Sequence, residues 1–171
     1  MKIGVISHTQ QLETIDDLPA RARLALADVD LVLHVGNVGS LSFLRSLQDA
    51  YGLTFAIYGS ADSDEVKRFL EVDKVVEFAN RRIGMVFGVT TGESNLKFPS
   101  LKRQTITPDR LSAQLLTHFE KIDCLVFGAP AGPFNYIYQG TLIFNPGPLK
   151  NGSIGILEIT ERAMTGRVVA V

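Results

Sequence analysis

The chain has little of the residue types that hold a fold together covalently or through metal. Its 171 residues include one cysteine, three histidines and no tryptophan. One cysteine excludes an internal disulfide and a zinc site built from cysteines. Lys and Arg number 17 against 18 Asp and Glu, and this net charge of −1 excludes a broad basic surface for nucleic acid. No apolar run reaches the roughly 18 residues that a transmembrane helix needs, so none is expected.

What the chain does contain is the composition of a single globular domain. Hydrophobic residues make up 46% and charged residues 20%, a balance typical of a folded protein. A chain of this length buries enough surface to fold without a disulfide or a structural metal ion, so we predict one domain over residues 1–171. Residues 1–7 are typical of a buried strand and too short for a secretory leader, and the cytoplasm is the expected compartment.

Apolar runs of strand length alternate with helical patterns in the first half. Strands are predicted at residues 2–7, 30–35 and 53–58. Helices are predicted from Asp16 or Asp17 to residue 27, over 40–51 and over 62–70. This order of strands and helices predicts the βαβ units of a parallel sheet.

The second half has a different pattern. A hairpin is predicted over residues 74–87, a long connection over 88–107 and a helix from Thr107. A buried strand at 123–128 and mainly antiparallel strands at 134–139, 141–144, 154–160 and 167–171 follow. The whole chain is therefore predicted to be an α/β fold in which two sheets form a β-sandwich flanked by helices. The long connection is either a surface loop or a segment that covers a pocket or a partner.

Polar and glycine-rich turns follow the predicted strands, where ligands bind in α/β sheets. They are Ser7-His8-Thr9-Gln10, Gly36-Asn37-Val38-Gly39, Gly59-Ser60-Ala61-Asp62, Phe87-Gly88-Val89, Gly128-Ala129-Pro130-Ala131 and Asn145-Pro146-Gly147-Pro148.

Nearly the whole chain resembles the calcineurin-like metallophosphoesterase superfamily. It is most similar to the small single-domain phosphodiesterases and to the phosphoesterase-fold subunit of retromer. The family's turns are D-x-H, G-D, G-N-x-D, H-G-H, G-H-T-H and N-P-G-S, and this chain keeps their scaffold residues. Those are Gly36, Gly59, Gly88, Gly128, Asp62 and Asn145-Pro146-Gly147. The resemblance implies an α/β/β/α fold and a site for two divalent metals such as Mn²⁺.

The positions that match the family's metal ligands hold other residue types. They are His8, Gln10, Asn37, Ser60, Phe87, Val89, Ala129 and Ala131. Two dications about 4 Å apart repel by roughly 17 kcal/mol at an effective dielectric of about 20, and none of these side chains is a carboxylate that offsets the repulsion. We therefore predict a degenerate, non-catalytic member without a metal cofactor. It would act by binding a protein or small-molecule partner, as the scaffold role of the retromer subunit implies.

Alternatives to this interpretation stay open. One is a phosphodiesterase or phosphatase with an altered one-metal site at His8, Asn37 and Ser60. Another is an anion or nucleotide sensor at the turn formed by Gly36, Gly39 and Ser40, because helix N-termini bind anions. The simpler interpretation of that turn is a tight turn in which Ser40 caps a helix. A homodimer through strand edges of the C-terminal half also stays open.

Some isolated residues are given structural interpretations. His34 is predicted to be structural within its strand, His118 to be solvated, and Cys124 to be a small core residue. Ser7 and Ser60 lack the G-x-S-x-G turn of a nucleophilic serine. Alternating aromatic residues on one face of a strand predict core packing or a partner-binding face. They are Phe134, Tyr136 and Tyr138.

Overall fold

The computed structural model describes residues 1–88, 113, 116–129 and 132–171. The strands in chain order are β1 (Lys2–Ile6), β2 (Leu31–Val35), β3 (Thr54–Ile57), β4 (Asp73–Phe78), β5 (Arg81–Phe87), β6 (Cys124–Gly128), β7 (Phe134–Tyr138), β8 (Thr141–Asn145), β9 (Ser153–Ile159) and β10 (Met164–Ala170). The helices are α1 (Ala20–Leu26), α2 (Leu41–Tyr51) and α3 (Asp64–Phe69), with short 3-10 turns at Ile15–Asp17 and Leu149–Asn151. The predicted loop over 88–107, from residue 89 onwards, and the helix start at Thr107 lie outside the described residues.

The first sheet has the strand order β10-β9-β1-β2-β3. β1 and β3 both run parallel to β2, as the βαβ pattern predicts. β9 runs antiparallel to β1 and to β10, so the last hairpin of the chain completes this sheet. β1 therefore lies in the middle of the sheet, and the predicted buried strand is confirmed for residues 3–6, whereas Met1 and Lys2 are exposed.

The second sheet has the strand order β4-β5-β6-β8-β7. Its hairpins β4–β5 and β7–β8 are antiparallel, but β6 runs parallel to both β5 and β8. The expectation of a mainly antiparallel C-terminal half is therefore wrong at the centre of this sheet. Parallel neighbours need a long connection, and residues 88–123 between β5 and β6 are long enough to be one. β7 and β10 are edge strands, so the open edges required by the homodimer hypothesis exist, and that hypothesis stays a prediction.

Three apolar layers hold the elements together. The layer between the sheets joins side chains such as Val5 and Leu33 to Met85 and Val126. A second layer packs α1 and α2 on the outer face of the first sheet. A third covers the outer face of the second sheet, where Phe119 follows the helical residues 116–118. The predicted sandwich flanked by helices is thereby confirmed.

The helix ends follow local hydrogen bonding. Ser40 caps α2 by accepting the Phe43 amide at 3.1 Å, as predicted. The first helix begins later than expected because the Asp17 carboxylate accepts the amides of Glu13 and Thr14, both at 2.9 Å, and so stabilises a separate 3-10 turn. None of the helices in the described part of the chain is long and apolar enough to cross a membrane.

The isolated residues lie as follows. Cys124 is fully buried, as predicted. His118 is exposed, as predicted, and its Nε2 lies 3.1 Å from the Asp73 carboxylate. The aromatic face of β7 packs on the third apolar layer, and the rings of Phe134 and Tyr136 are 4.6 Å apart. This contact favours the packing interpretation of that face.

The turn between β4 and β5 stores backbone strain at Ala79. Ala79 has φ 49° and Asn80 has φ 58°, and the left-handed region suits Asn much better than Ala. Ala79→Gly is therefore expected to raise the free energy of unfolding by about 0.5–1 kcal/mol, or the Tm by about 2–4 °C. Ala27→Gly is the matched control, because Ala27 has an ordinary helical φ of −61° and should lose stability. Equal losses in thermal unfolding of the two variants would contradict the strain.

Candidate functional site

The carboxyl ends of β1, β2 and β3 meet those of β5 and β6 at one end of the sandwich. Backbone hydrogen bonds join the loops in pairs. The amide of His8 donates to the Gly36 carbonyl at 3.1 Å, and the amide of Thr9 donates to the Asn37 carbonyl at 2.9 Å. On the second sheet, the Gly88 amide donates to the Gly128 carbonyl at 2.8 Å. The predicted site residues are thus carried by loops whose backbones are held in place.

Phe87 occupies the point where these strand ends meet. Its side chain is 2% exposed, and its ring centroid lies 5.3 Å from that of His8. A Cβ on Gly36 would overlap the Phe87 ring, and a Cβ on Gly128 would lie 2.9 Å from its Cδ2. The ring therefore packs directly on the backbone of both glycine turns and excludes solvent from between them.

Asp62 ties two of the loops together. It is 4% exposed, and its two carboxylate oxygens accept the amides of Gly39 and Gly59, each at 2.7 Å. Sequence reasoning placed Asp62 at the start of a helix, but Ser63 is the residue that caps α3. No local pattern distinguishes a carboxylate that caps its own helix from one that bridges loops, so this role appears only in the structure.

Asn37 and Ser60 belong to the same network. Asn37 is 4% exposed, and its Oδ1 accepts the Ala61 amide at 3.0 Å. The Ser60 carbonyl accepts a hydrogen bond from the Lys67 ammonium at 3.1 Å. The amide oxygen of Asn37 is consequently engaged inside the protein.

His8 is held in one orientation and one tautomer. Its Nδ1 lies 3.0 Å from the Ser7 hydroxyl, which donates to the Gly147 carbonyl at 3.1 Å. Because the Ser7 hydroxyl already donates its hydrogen bond to Gly147, Nδ1 must be the donor and Nε2 the unprotonated acceptor. Burial, with the nearby charge of Lys150, lowers the pKa of His8 to about 4, so the ring is neutral at pH 7. Ser7 is fully buried and cannot reach a substrate.

His34 forms a second buried pair with Thr9. Its Nε2 lies 2.8 Å from the Thr9 hydroxyl, which donates to the Val38 carbonyl at 2.9 Å. His34 Nε2 is therefore the donor, and its buried Nδ1 has no partner among the described residues. Burial lowers the pKa of His34 to about 3. These contacts confirm a structural His34 that braces the loop carrying His8.

The glycine turn before α2 is engaged within the protein. The Gly39 amide, a donor that the anion hypothesis needs, is bound by Asp62, and the Ser40 side chain caps α2. Gly39 also lies against the backbone of Gln10, because a Cβ there would be 2.5 Å from the Gln10 Cα. The anion site stays a prediction, and one of the amide donors it needs, that of Gly39, is already bound to Asp62.

The remaining predicted positions lie in different surroundings. Gln10 is partly exposed, and Ala129 is buried in the apolar layer on the outer face of the second sheet. Val89 and Ala131 lie outside the described residues. Of the eight substituted positions, the structure brings together His8, Asn37, Ser60 and Phe87, and Gln10 lines one cavity with His8. The described part of the chain holds no group of three or more His, Cys, Asp or Glu side chains that could bind a metal ion.

A cavity of about 360 Å³ opens beside His8. It lies between residues 8–12 and the 3-10 turn Leu149–Asn151, with Lys150 and Asp17 also in its wall. Sequence reasoning missed Lys150, which is distant in the chain. The Leu149 amide donates to the Ser7 carbonyl at 3.0 Å and brings that turn against His8.

Comparisons with known proteins agree with this fold. The model of the calcineurin-like phosphoesterase superfamily domain matches residues 1–161. A probable metallophosphoesterase of Methanocaldococcus jannaschii is 29% identical over 147 residues, which cover 86% of this chain and 67% of that protein. A Thermotoga maritima protein shares the fold with a TM-score of 0.71 at 23% identity, over 99% of each chain. Vacuolar protein sorting 29 of Cryptosporidium parvum matches with a TM-score of 0.69 at 17% identity, over 99% of this chain and 97% of its own. An archaeal phosphodiesterase matches with a TM-score of 0.66 at 18% identity, over 99% of this chain and 100% of its own.

Proposed function

The chain belongs to the calcineurin-like phosphoesterase superfamily, and we propose that it acts by binding a partner and not by metal-dependent hydrolysis. The fold is shared with an archaeal phosphodiesterase and with proteins named Vps29. Because one fold hosts unrelated functions, the proposal has to rest on the side chains at the strand ends.

The observation that carries the proposal is the position of Phe87. Its ring lies against His8 and against the backbones of Gly36 and Gly128, at the convergence of the strand ends. The family resemblance implies a histidine ligand there. An apolar ring donates no lone pair to a metal ion, and this ring is packed inside the protein with 2% of its surface exposed.

The polar groups around Phe87 support the same conclusion. The Asn37 oxygen accepts the Ala61 amide, and the Asp62 oxygens accept the amides of Gly39 and Gly59. Each group therefore has a partner within the protein. A metal ion would have to break these hydrogen bonds to gain a ligand, at a cost of about 1–3 kcal/mol for each buried group left unpaired.

These residues do not fit two divalent cations. Asp62 bridges two amides, and among the described residues at the strand ends no free carboxylate remains to offset the repulsion between two metals. The one-metal alternative would use His8, Asn37 and Ser60, but the Asn37 oxygen already accepts the Ala61 amide, and a metal ion would have to break that hydrogen bond. We keep the cytoplasm as the proposed compartment.

Titration calorimetry of chelator-stripped protein with Mn²⁺ tests the proposal. We expect no saturable heat below ~1 mM Mn²⁺, and no hydrolysis of bis(p-nitrophenyl) phosphate above that of a mock preparation. Two tight sites, or turnover that needs Mn²⁺, would overturn the proposal.

Histidine variants identify any single weak site. His8→Asn removes the imidazole at the strand ends, and Asn tolerates the positive φ of 59° found at His8. His118→Asn is the matched control on the outer surface. Loss of binding in His8→Asn alone would favour the one-metal enzyme, whereas loss in His118→Asn alone would identify surface binding beside Asp73.

A further inference from the structure

The cavity beside His8 combines an apolar wall with two polar groups that have no partner. Leu12, Pro19 and Leu149 supply apolar surface, and Leu149 is 6% exposed. The volume of about 360 Å³ is in the range of small-molecule sites. Apolar walls with a few placed polar groups are the usual composition of such a site.

The first polar group is Nε2 of His8. The bond from Nδ1 to Ser7 leaves Nε2 as an acceptor, and no residue in the described part of the chain donates to it. His8 is 4% exposed and lines the cavity. An acceptor that no protein donor engages, on a side chain that lines a cavity, favours a ligand that brings an O–H or N–H donor.

The second polar group is the Lys150 ammonium. Lys150 lines the cavity and forms no ion pair within the described ranges. Asp17 also lines it, but its Oδ2 is held by the amides of Glu13 and Thr14. The ammonium pairs with one negative charge, and the neighbouring Asp17 carboxylate repels a second one, so a monoanion is favoured over a dianion such as HPO4²⁻.

We propose that this cavity binds a small organic monocarboxylate that carries a hydroxyl donor and an apolar body. The carboxylate pairs with Lys150, the hydroxyl donates to His8 Nε2, and the apolar body lies on Leu12, Pro19 and Leu149. This inference rests on the proposed binding function, since it places an organic ligand and no metal beside His8.

Matched ligands test the proposal on the full chain in the presence of EDTA. Mandelate has the carboxylate, the hydroxyl and an aromatic body, whereas benzoylformate has a keto group in place of the hydroxyl. We expect mandelate to bind with a Kd of ~1 mM or tighter. We expect benzoylformate to bind about tenfold more weakly, because it leaves Nε2 unpaired. Inorganic phosphate should bind more weakly than mandelate.

Lysine variants locate the site. Lys150→Met keeps the length of the side chain without its charge and should weaken mandelate binding at least tenfold. Lys2→Met is the control, because Lys2 lies at the opposite end of β1. No binding of mandelate, equal binding of the two ligands, tighter binding of phosphate, or an unchanged Kd in Lys150→Met would each overturn the proposal. These outcomes are separate from the Mn²⁺ titration, because EDTA removes metal from every measurement.

Discussion

The free energy of unfolding is expected to fall by on the order of 5 kcal/mol as the pH is lowered from 7 to 4. This fall in stability comes from His8 and His34, because burial lowers their pKa values from 6.5 to about 4 and about 3, respectively. The unfolded chain binds protons at both rings below pH 6.5, whereas the folded chain does not until the pH approaches 4. The contribution of the two neutral histidines to the free energy of unfolding is therefore fully present above pH 6.5, and it is lost as the pH falls towards their folded pKa values.

Denaturant unfolding at a series of pH values checks this expectation. The carboxylates of Asp17 and Asp123 act mainly below this window, because hydrogen bonds from backbone amides lower their pKa values in the folded chain and the loss of stability starts near the unfolded Asp pKa of about 3.9. His34→Gln and His8→Asn should each remove part of the slope between pH 6.5 and 4, whatever they do to the stability at pH 7. An unchanged slope in the double variant would show that other groups carry the acid sensitivity.

Gly128→Ala is expected to cost about 3 kcal/mol or more of the free energy of unfolding. A Cβ at this position would overlap the carbonyl oxygen of Val35, a backbone atom of β2 in the other sheet, and would also press on Phe87. Neither neighbour can swing away, since β2 is buried along its whole length and Phe87 is packed against two glycine turns.

Gly132→Ala is the matched control for this change. A Cβ on Gly132 would meet nothing within 4 Å, so its expected effect is within about 0.5 kcal/mol. Thermal or denaturant unfolding of the two variants gives the comparison. Similar stabilities would mean that the sheets do not approach as closely at Gly128 as the structure shows.

The elements that were predicted well depend on residues that are close together in the chain. Ser40 caps α2 because its hydroxyl reaches the amide of Phe43, three residues away, and β1 is buried because its apolar run has no polar face. The parallel order of β5, β6 and β8 was not predictable in this way. Strand direction depends on connections and partners that are distant in the chain, and alternation of apolar residues is the same in either direction.

The chemical inventory at the strand ends follows from residue type alone. A side chain's capacity to bind metal is a property of its residue type, so Phe87, Asn37 and Ala129 exclude a carboxylate or imidazole at their positions wherever they lie.

The tertiary packing, in contrast, sets how those groups are used. It packed Phe87 between two glycine turns, made Asp62 a bridge between two amides, and set Lys150 beside His8 in one cavity. These relations depend on the pairing of strands and on the close approach of the sheets, which join residues that are distant in the chain. Residue type sets what a group can do, and the sheet packing sets which groups meet.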